Sequence, residues 1–130
     1  DLTSTLSFHY FSEYISYLKK RAPYGFFNSW SWDSEYSCIS FSFNYMNTSS
    51  NTIKYIDVYF RVTNGVGDVR KTGHFQGTGP LEEFESATWE WDTSSYYVAG
   101  DASNMSITKV ILTFMNGTKK VLTGKLLVFD

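Results

Sequence analysis

Five aromatic rings and two carboxylates lie within the twelve residues FFNSWSWDSEYS, positions 26–37. Trp30 and Trp32 are two residues apart, so on an extended chain their rings share a face, and Asp33 follows them. Sugars stack on such rings while carboxylates bond their hydroxyls, and amphipathic aromatics also suit protein interfaces. The same rings could instead cover an open end of a β-sandwich, where burying one contributes about 3 kcal/mol. Core cover, protein contact and glycan platform are the three interpretations of this stretch.

A second candidate surface lies in the run IKYIDVYFRVT, positions 53–63. Tyr55, Asp57, Tyr59 and Arg61 alternate with apolar residues, which places all four on one side of a strand. Tyr and Arg are enriched at protein interfaces. Tyrosines that alternate with charges also stabilise cross-strand pairs, and this structural role is the simpler interpretation.

The sequence contains no pattern typical of a catalytic, metal or cofactor site. The two histidines form no HxH or HExxH motif, and no GxSxG element presents a nucleophile. Gly73, Gly77 and Gly79 do not form a GxGxxG phosphate loop. The acidic residues near Trp89 and Trp91 would need a cleft to act as glycosidase carboxylates. We therefore predict that the protein is not an enzyme and has no cofactor and no metal.

The length of the chain, 130 residues, predicts a single domain over residues 1–130 that is large enough to bury a core. The formal charge of −2 leaves no surplus of basic residues for phosphates, so we expect no nucleic-acid partner. No run of about 18 apolar residues occurs, so we expect no membrane insertion. Cys38 is the single cysteine, which excludes an intrachain disulfide. Because the chain begins at Asp1, we expect a processed or excised fragment.

Strands are the elements that must position these residues. Aromatic residues make up 19% of the chain and favour pleated, half-buried surfaces. Residues 37–45 and 53–63 alternate between apolar and polar, and turn clusters such as NGVGD separate the apolar runs. About seven strands at regular spacing, with no βαβ unit, predict an all-β, immunoglobulin-like antiparallel β-sandwich.

Three local structures are predicted from shorter signals. Residues 9–20 have apolar residues at helical spacing but are rich in Tyr, Phe and Ile, and we favour a strand over a helix. A short strand is expected at 69–76, ended by GTGP. The Asn116-Gly117 pair predicts a two-residue type I′ hairpin that places Leu112 opposite Val121, with a final strand over 119–129.

The run FNYMNTSSNTIKYIDVYFRVTNGVGDV, positions 43–69, resembles the bacterial FxLYD-like group of immunoglobulin-like domains. That group pairs an N-x-S-x-x-T-I-K-Y-I strand start with an N-x-V-G-D turn. TGP at 78–80, ITKV at 107–110 and MNG at 115–117 extend the resemblance over the last two-thirds of the chain. It implies an extracytoplasmic bacterial β-sandwich module and transfers no catalytic residue. Residues 1–36 have no counterpart there, which leaves room for an N-terminal elaboration.

We therefore expect a non-enzymatic immunoglobulin-like module of a secreted or surface bacterial protein, which acts as a spacer or a protein-interaction domain. The alternative is a carbohydrate-binding module that stacks sugars on two tryptophans. The expected partner is accordingly a protein or a cell-surface glycan. The candidate binding residues are Trp30, Trp32, Asp33, Tyr55, Tyr59 and Arg61.

Overall fold

A computed structural model of the chain describes residues 13–35, 38–94 and 101–130. These residues form two antiparallel sheets with seven strands in all, which confirms the predicted all-β, immunoglobulin-like sandwich. A short helix, α1, at residues 13–21 precedes them. The strands are β1 Gly25–Glu35, β2 Cys38–Asn47, β3 Ile53–Thr63, β4 Val69–Leu81, β5 Ser86–Ser94, β6 Asn104–Phe114 and β7 Lys119–Leu122, and a 3₁₀ turn follows at Gly124–Leu126.

The strands divide unequally between the two sheets. Sheet A has the order β1-β2-β5, and sheet B has the order β4-β3-β6-β7. In constant-type immunoglobulin domains the fourth strand pairs with the fifth, whereas here β4 pairs with β3. Sheet B is therefore the wider sheet, and β3 lies inside it with a neighbour on each side.

The core lies between the sheets and is built largely by alternation in β2 and β3, two of the three strands that have a neighbour on each side. Because successive side chains point to opposite faces, every second residue of β2 is buried, and β3 shows the same alternation from Ile56 to Val62. This confirms the predicted inward faces of both strands. The inward residues are Ile39, Phe41, Phe43 and Tyr45 from β2 and Ile56, Val58, Phe60 and Val62 from β3.

A stack of aromatic rings joins the two sheets along one side of the sandwich. The Phe75 ring lies 4.9 Å from Phe60 at 12° and 5.1 Å from Trp91 at 8°. Trp91 in turn stacks on Phe43 at 5.2 Å. Sheet B therefore contacts sheet A through β4, an edge strand that contributes one large inward ring.

Glycines on the inward side of β4 make room for neighbouring rings. A Cβ at Gly77 would lie 2.9 Å from the Trp89 ring, and one at Gly73 would lie 3.1 Å from the Phe60 ring. The prediction that β4 ends at Gln76 is wrong, because these glycines serve packing and the strand continues to Leu81. Glycine at such positions is required by the close approach of the ring.

The preference for a strand at 9–20 is wrong for the described residues, since 13–21 are helical. The helical spacing prevails because it gives α1 an apolar side that packs on the outer face of sheet A. Leu18 and Ala22 are buried there with Phe26, and Met46 and Val128 pack against them.

The hairpin between β6 and β7 has a three-residue loop, so the predicted two-residue loop is wrong. Phe114 N donates to Thr118 O at 2.9 Å, and Gly117 N donates to Phe114 O at 2.9 Å. Gly117 has φ 88°, whereas the side chain of Asn116 accepts hydrogen bonds from Thr118 N and Oγ1 at 3.0 and 2.6 Å. Asn116 therefore stays at negative φ, and only Gly117 takes the left-handed conformation.

This loop shifts the pairing of β7 by one residue. Leu112 lies opposite Lys120 instead of Val121, and Val121 faces outward at 49% exposure. The final strand also ends at Leu122, well before the predicted 129. The chain then crosses to sheet A, where Phe129 forms a parallel bridge with Phe27 of β1.

A buried amide joins the ends of the two sheets. Asn47, at the end of β2, donates through Nδ2 to Asn51 O at 2.8 Å and to Leu81 O at 2.9 Å. Its Oδ1 accepts from Ser49 N at 2.9 Å and from Ser49 Oγ at 2.6 Å. The side chain is fully buried and fully satisfied, so it fixes the β2–β3 turn against the end of β4.

Candidate functional site

Trp30 and Trp32 share a face, and that face is the inner one. In the register of β1 and β2, Trp30 lies opposite Phe43 and Trp32 opposite Phe41. Both tryptophans are half-buried and pack against the core. Asp33 is exposed on the opposite face, so the structure does not bring it together with the rings. This arrangement corresponds to the core-cover interpretation of the opening stretch.

The alternating β3 side chains that form the second candidate surface lie on the outer face of sheet B. The neighbouring strands β4 and β6 add side chains to this surface that the sequence pattern did not identify. Tyr59 lies opposite His74 of β4 and Lys109 of β6, and Asp57 lies opposite Gln76 of β4. Tyr55 and Tyr59 are half-buried, and Arg61 is exposed. We call the assembled surface the tyrosine face; it consists of Tyr55, Asp57, Tyr59, Arg61, His74, Gln76 and Lys109.

Contacts from both sides orient the Tyr59 ring. The His74 ring stacks on it with centroids 4.8 Å apart and an interplanar angle of 20°. Lys109 Nζ lies 4.2 Å from the centroid of the Tyr59 ring, within cation–π range. A side chain held in this way loses little conformational entropy when a partner contacts it.

Asp57 orients its neighbours and presents little surface of its own. Gln76 Nε2 donates to Asp57 Oδ1 at 3.1 Å, and His74 Nε2 lies 3.9 Å from the same oxygen. The Asp57 side chain is 14% exposed, compared with 52% for His74. The groups that reach solvent on the tyrosine face are therefore aromatic rings, cations and the neutral amide of Gln76, with little carboxylate.

The outer face of sheet A is different in shape and chemistry. It contains a shallow depression of about 280 Å³, with small serine side chains on the middle strand and carboxylates on the two flanking strands. In the register, Ser40 lies between Asp33 and Asp92, and Ser42 lies between Ser31 and Glu90. We call this surface the serine trough; it consists of Ser31, Asp33, Ser40, Ser42, Glu90 and Asp92.

A row of hydrogen-bonded amides closes one end of the serine trough. Asn28 Nδ2 donates to Asn44 Oδ1 at 2.9 Å, and Asn44 Nδ2 donates to Thr88 Oγ1 at 2.8 Å. Beyond this row the sheet is covered by α1. The part of sheet A that the described residues leave uncovered is thus short, concave and acidic.

Charge is segregated between the two sheets. The strands of sheet A contain four acidic residues and no Lys or Arg, a formal charge of −4. The strands of sheet B contain seven Lys or Arg and a single acidic residue, Asp57, a formal charge of +6. The net charge of −2 for the whole chain conceals this division. The division of charge becomes visible only when the strands are assigned to their sheets.

The described residues bring together no group of three or more His, Cys, Asp or Glu side chains that could hold a metal. In the same ranges, no helix has the length and apolar character needed to cross a bilayer. The Tyr45 hydroxyl is buried in the core and has no hydrogen-bond partner among the residues that the structure describes, and burial raises its pKa. It belongs to neither outer face, so we assign it no part in a site.

No protein-family model matches the chain, and no curated protein matches its sequence. Among solved structures the fold is similar to that of IrmA from Escherichia coli, with a TM-score of 0.54 and 14% identity. The similarity covers 82% of this chain and 89% of IrmA. At this identity it shows the fold alone, since unrelated functions share sandwich folds.

Proposed function

We propose that the chain is a non-enzymatic immunoglobulin-like module of a secreted or surface bacterial protein, and that it binds a protein partner through the tyrosine face. The observation on which this rests is the Tyr59 ring, which is held between His74 and Lys109 on an outward surface. Tyr and Arg are the residue types that dominate binding energy at protein interfaces. The resemblance to the FxLYD-like group supports the bacterial, extracytoplasmic setting.

The charges of sheet B define the chemistry of the partner. Arg61 and Lys109 flank Tyr59, and Lys54 Nζ lies 5.4 Å from the centroid of the Tyr55 ring. Asp57 is largely covered, so it offsets little of this charge at the surface. A partner that presents carboxylates beside apolar or aromatic groups would complement the face, because opposite potentials favour encounter and fix register.

The tyrosine face is better suited to bind a partner than the surface around Trp30 and Trp32. A glycan platform requires an exposed ring face beside hydrogen-bonding groups. Trp30 and Trp32 instead turn inward against the core, on the side of β1 opposite to Asp33. The carbohydrate-binding alternative therefore needs one of these half-buried rings to leave the core.

Random peptides displayed on phage and panned against the immobilised chain test the proposal. We expect the recovered peptides to be enriched in Asp and Glu. The affinity of the best peptide should fall at least about tenfold in Tyr59→Ala, which corresponds to roughly 1.4 kcal/mol. The matched control is Ser31→Ala, an exposed position on sheet A, which should bind the peptide unchanged.

Equal loss in both variants, or no enrichment of acidic peptides, would contradict the proposal and leave the spacer role. The glycan alternative is tested in parallel by tryptophan fluorescence against a polysaccharide panel. A saturable shift that is absent from Trp30→Ala and Trp32→Ala would establish that alternative in place of the tyrosine face.

A further inference from the structure

We infer that the partner of the tyrosine face includes a second copy of this chain, docked through its serine trough. The inference rests on the proposed function and names the occupant of the same face. It makes the association head-to-tail, because one copy contributes sheet B and the next contributes sheet A.

Charge complementarity is the first argument. The face with cationic groups belongs to sheet B, whose strands sum to +6, and the trough belongs to sheet A, whose strands sum to −4. The exposed carboxylates of the trough are Asp33, Glu90 and Asp92. Contact between like faces would place charges of one sign together, which is unfavourable, whereas contact between unlike faces pairs them.

The shapes of the two surfaces supply the second argument. On sheet A the middle strand, β2, presents the small side chains of Ser40 and Ser42 between acidic flanks, which leaves the trough. On sheet B the corresponding strand, β3, presents the large side chains of Tyr55 and Tyr59. A ridge of tyrosines on one copy thus fits a groove of serines on the next, with cations beside carboxylates.

The geometry also determines what kind of assembly results. The two surfaces lie on opposite faces of the sandwich, so one contact leaves a free trough at one end and a free tyrosine face at the other. A heterologous contact of this kind adds copies in a row and does not close as a symmetric dimer. The contact pairs exposed charges of opposite sign, so each contact depends on ionic strength.

Sedimentation velocity of the wild-type chain over a concentration series tests the association. At low ionic strength the weight-average mass should rise above the 14.9 kDa of one chain as concentration rises. Raising the ionic strength from about 0.01 M to about 1 M shortens the Debye length from about 30 Å to about 3 Å, and should return the mass to one chain.

Two charge-reversed variants provide the decisive comparison. In the first, the three carboxylates of the trough become lysines; in the second, three exposed cations of sheet B become glutamates, and Lys109 and its contact with Tyr59 are left intact. By the strand sums, the first variant changes sheet A from −4 to +2 and the second changes sheet B from +6 to 0. Each variant alone therefore lacks the opposite charges on its two faces and should stay at the mass of one chain. The substitutions are Asp33→Lys, Glu90→Lys and Asp92→Lys in the first variant and Lys54→Glu, Arg61→Glu and Lys119→Glu in the second.

An equimolar mixture of the two variants should associate again. The unchanged tyrosine face of the first variant can then bind the unchanged serine trough of the second. A wild-type mass that stays constant with concentration, or a mixture that stays monomeric while both variants are folded, would overturn the inference. Urea unfolding of each variant checks the fold, and the single changes Asp33→Lys and Arg61→Glu repeat the comparison if a triple variant unfolds.

The same variants separate this inference from the proposed function. If no association occurs but the variant with glutamates on sheet B loses acidic-peptide binding, the tyrosine face is an interaction surface for another protein. If association occurs and is restored in the mixture, but no acidic peptide binds, the chain is its own partner. Loss of both results removes both proposals.

Discussion

The outer faces of the two sheets rest on one shared interior yet differ in almost every property. The tyrosine face has large side chains, cations and an aromatic ring held from two sides. The serine trough has small side chains, carboxylates and a row of amides that bond one another. The core cluster that both sheets share is apolar, so the difference arises from the alternate, outward positions of each strand.

This contrast indicates that inward and outward positions of the same strands have different roles. Inward positions are constrained by packing density, where a change of one methyl group is felt. Outward positions are free of that constraint, so their side chains can be set by contacts with a partner. If the comparison is correct, changes at the inner positions affect stability strongly, and changes on either outer face affect it weakly.

The largest effect is expected at Asn47, where the two sheets are joined. Asn47→Ala leaves the carbonyls of Asn51 and Leu81 and the amide of Ser49 without their partner in a buried site, and should cost about 3 kcal/mol. Urea unfolding measures the change. Asn44→Ala, at an amide on the outer face of the same strand, should cost less than half as much. Equal losses of unfolding free energy in the two variants would contradict the distinction between inner and outer positions.

A smaller effect is expected where a tryptophan of sheet A packs on sheet B. Gly77→Ala places a Cβ 2.9 Å from the Trp89 ring and 3.0 Å from Ile56 Cγ2, and should destabilise the fold by about 2 kcal/mol through overpacking. The neighbouring Thr78→Ala is the control, since Thr78 is exposed on the outer face. Thermal unfolding of the two variants side by side would show whether β4 glycines serve ring packing; a neutral Gly77→Ala would refute that role.

Tyr45 provides a still smaller effect that depends on pH. Its hydroxyl is buried with no hydrogen-bond partner in the described part of the chain, so Tyr45→Phe should stabilise the fold by about 1 kcal/mol at neutral pH. Burial raises the pKa of Tyr45 above its unfolded value of about 10, so the folded state keeps a proton that the unfolded state loses. The contribution of Tyr45 to stability is therefore constant below pH about 10. Above that pH it lowers the free energy of unfolding by up to about 1.4 kcal/mol per pH unit.

Unfolding free energies of wild type and Tyr45→Phe across the alkaline range measure this difference. The gap between the two proteins should widen above pH about 10, because the variant lacks the titrating group. A constant gap would mean that the Tyr45 hydroxyl is hydrated or hydrogen-bonded in the folded protein.

Alternation was enough to predict much of the fold, and the failures have local physical causes. In β3 the period of two placed Ile56 and Val58 inside and Tyr59 outside without any tertiary information. The β6–β7 register was mispredicted because the Asn116 side chain bonds Thr118 and so favours a longer loop. Such a choice between side-chain and backbone partners is not visible in residue types alone.

The candidate surfaces were predictable only within single strands. The alternating β3 side chains were identified from their own pattern, but His74 and Lys109 join them through pairing with strands that are distant in sequence. In β1 a bulge between Phe27 and Ser29 changes which alternate residues face inward, so the direction of Trp30 could not be read from the pattern. The charge division between the sheets likewise depends on strand order, which the sequence alone left open.

The smallest expected effect compares the outer faces directly. A double-mutant cycle between Tyr59 and Lys109 should give a coupling energy of about 0.5 kcal/mol, the value for a cation–π pair at an exposed site. A cycle between Asn28 and Asn44 should give a similar value for their hydrogen bond across sheet A. Both couplings are small beside the effect at Asn47, because water competes for every group on an outer face. A coupling above about 2 kcal/mol for the Tyr59 pair would make the tyrosine face a structural element, and its contacts would then be explained without a partner.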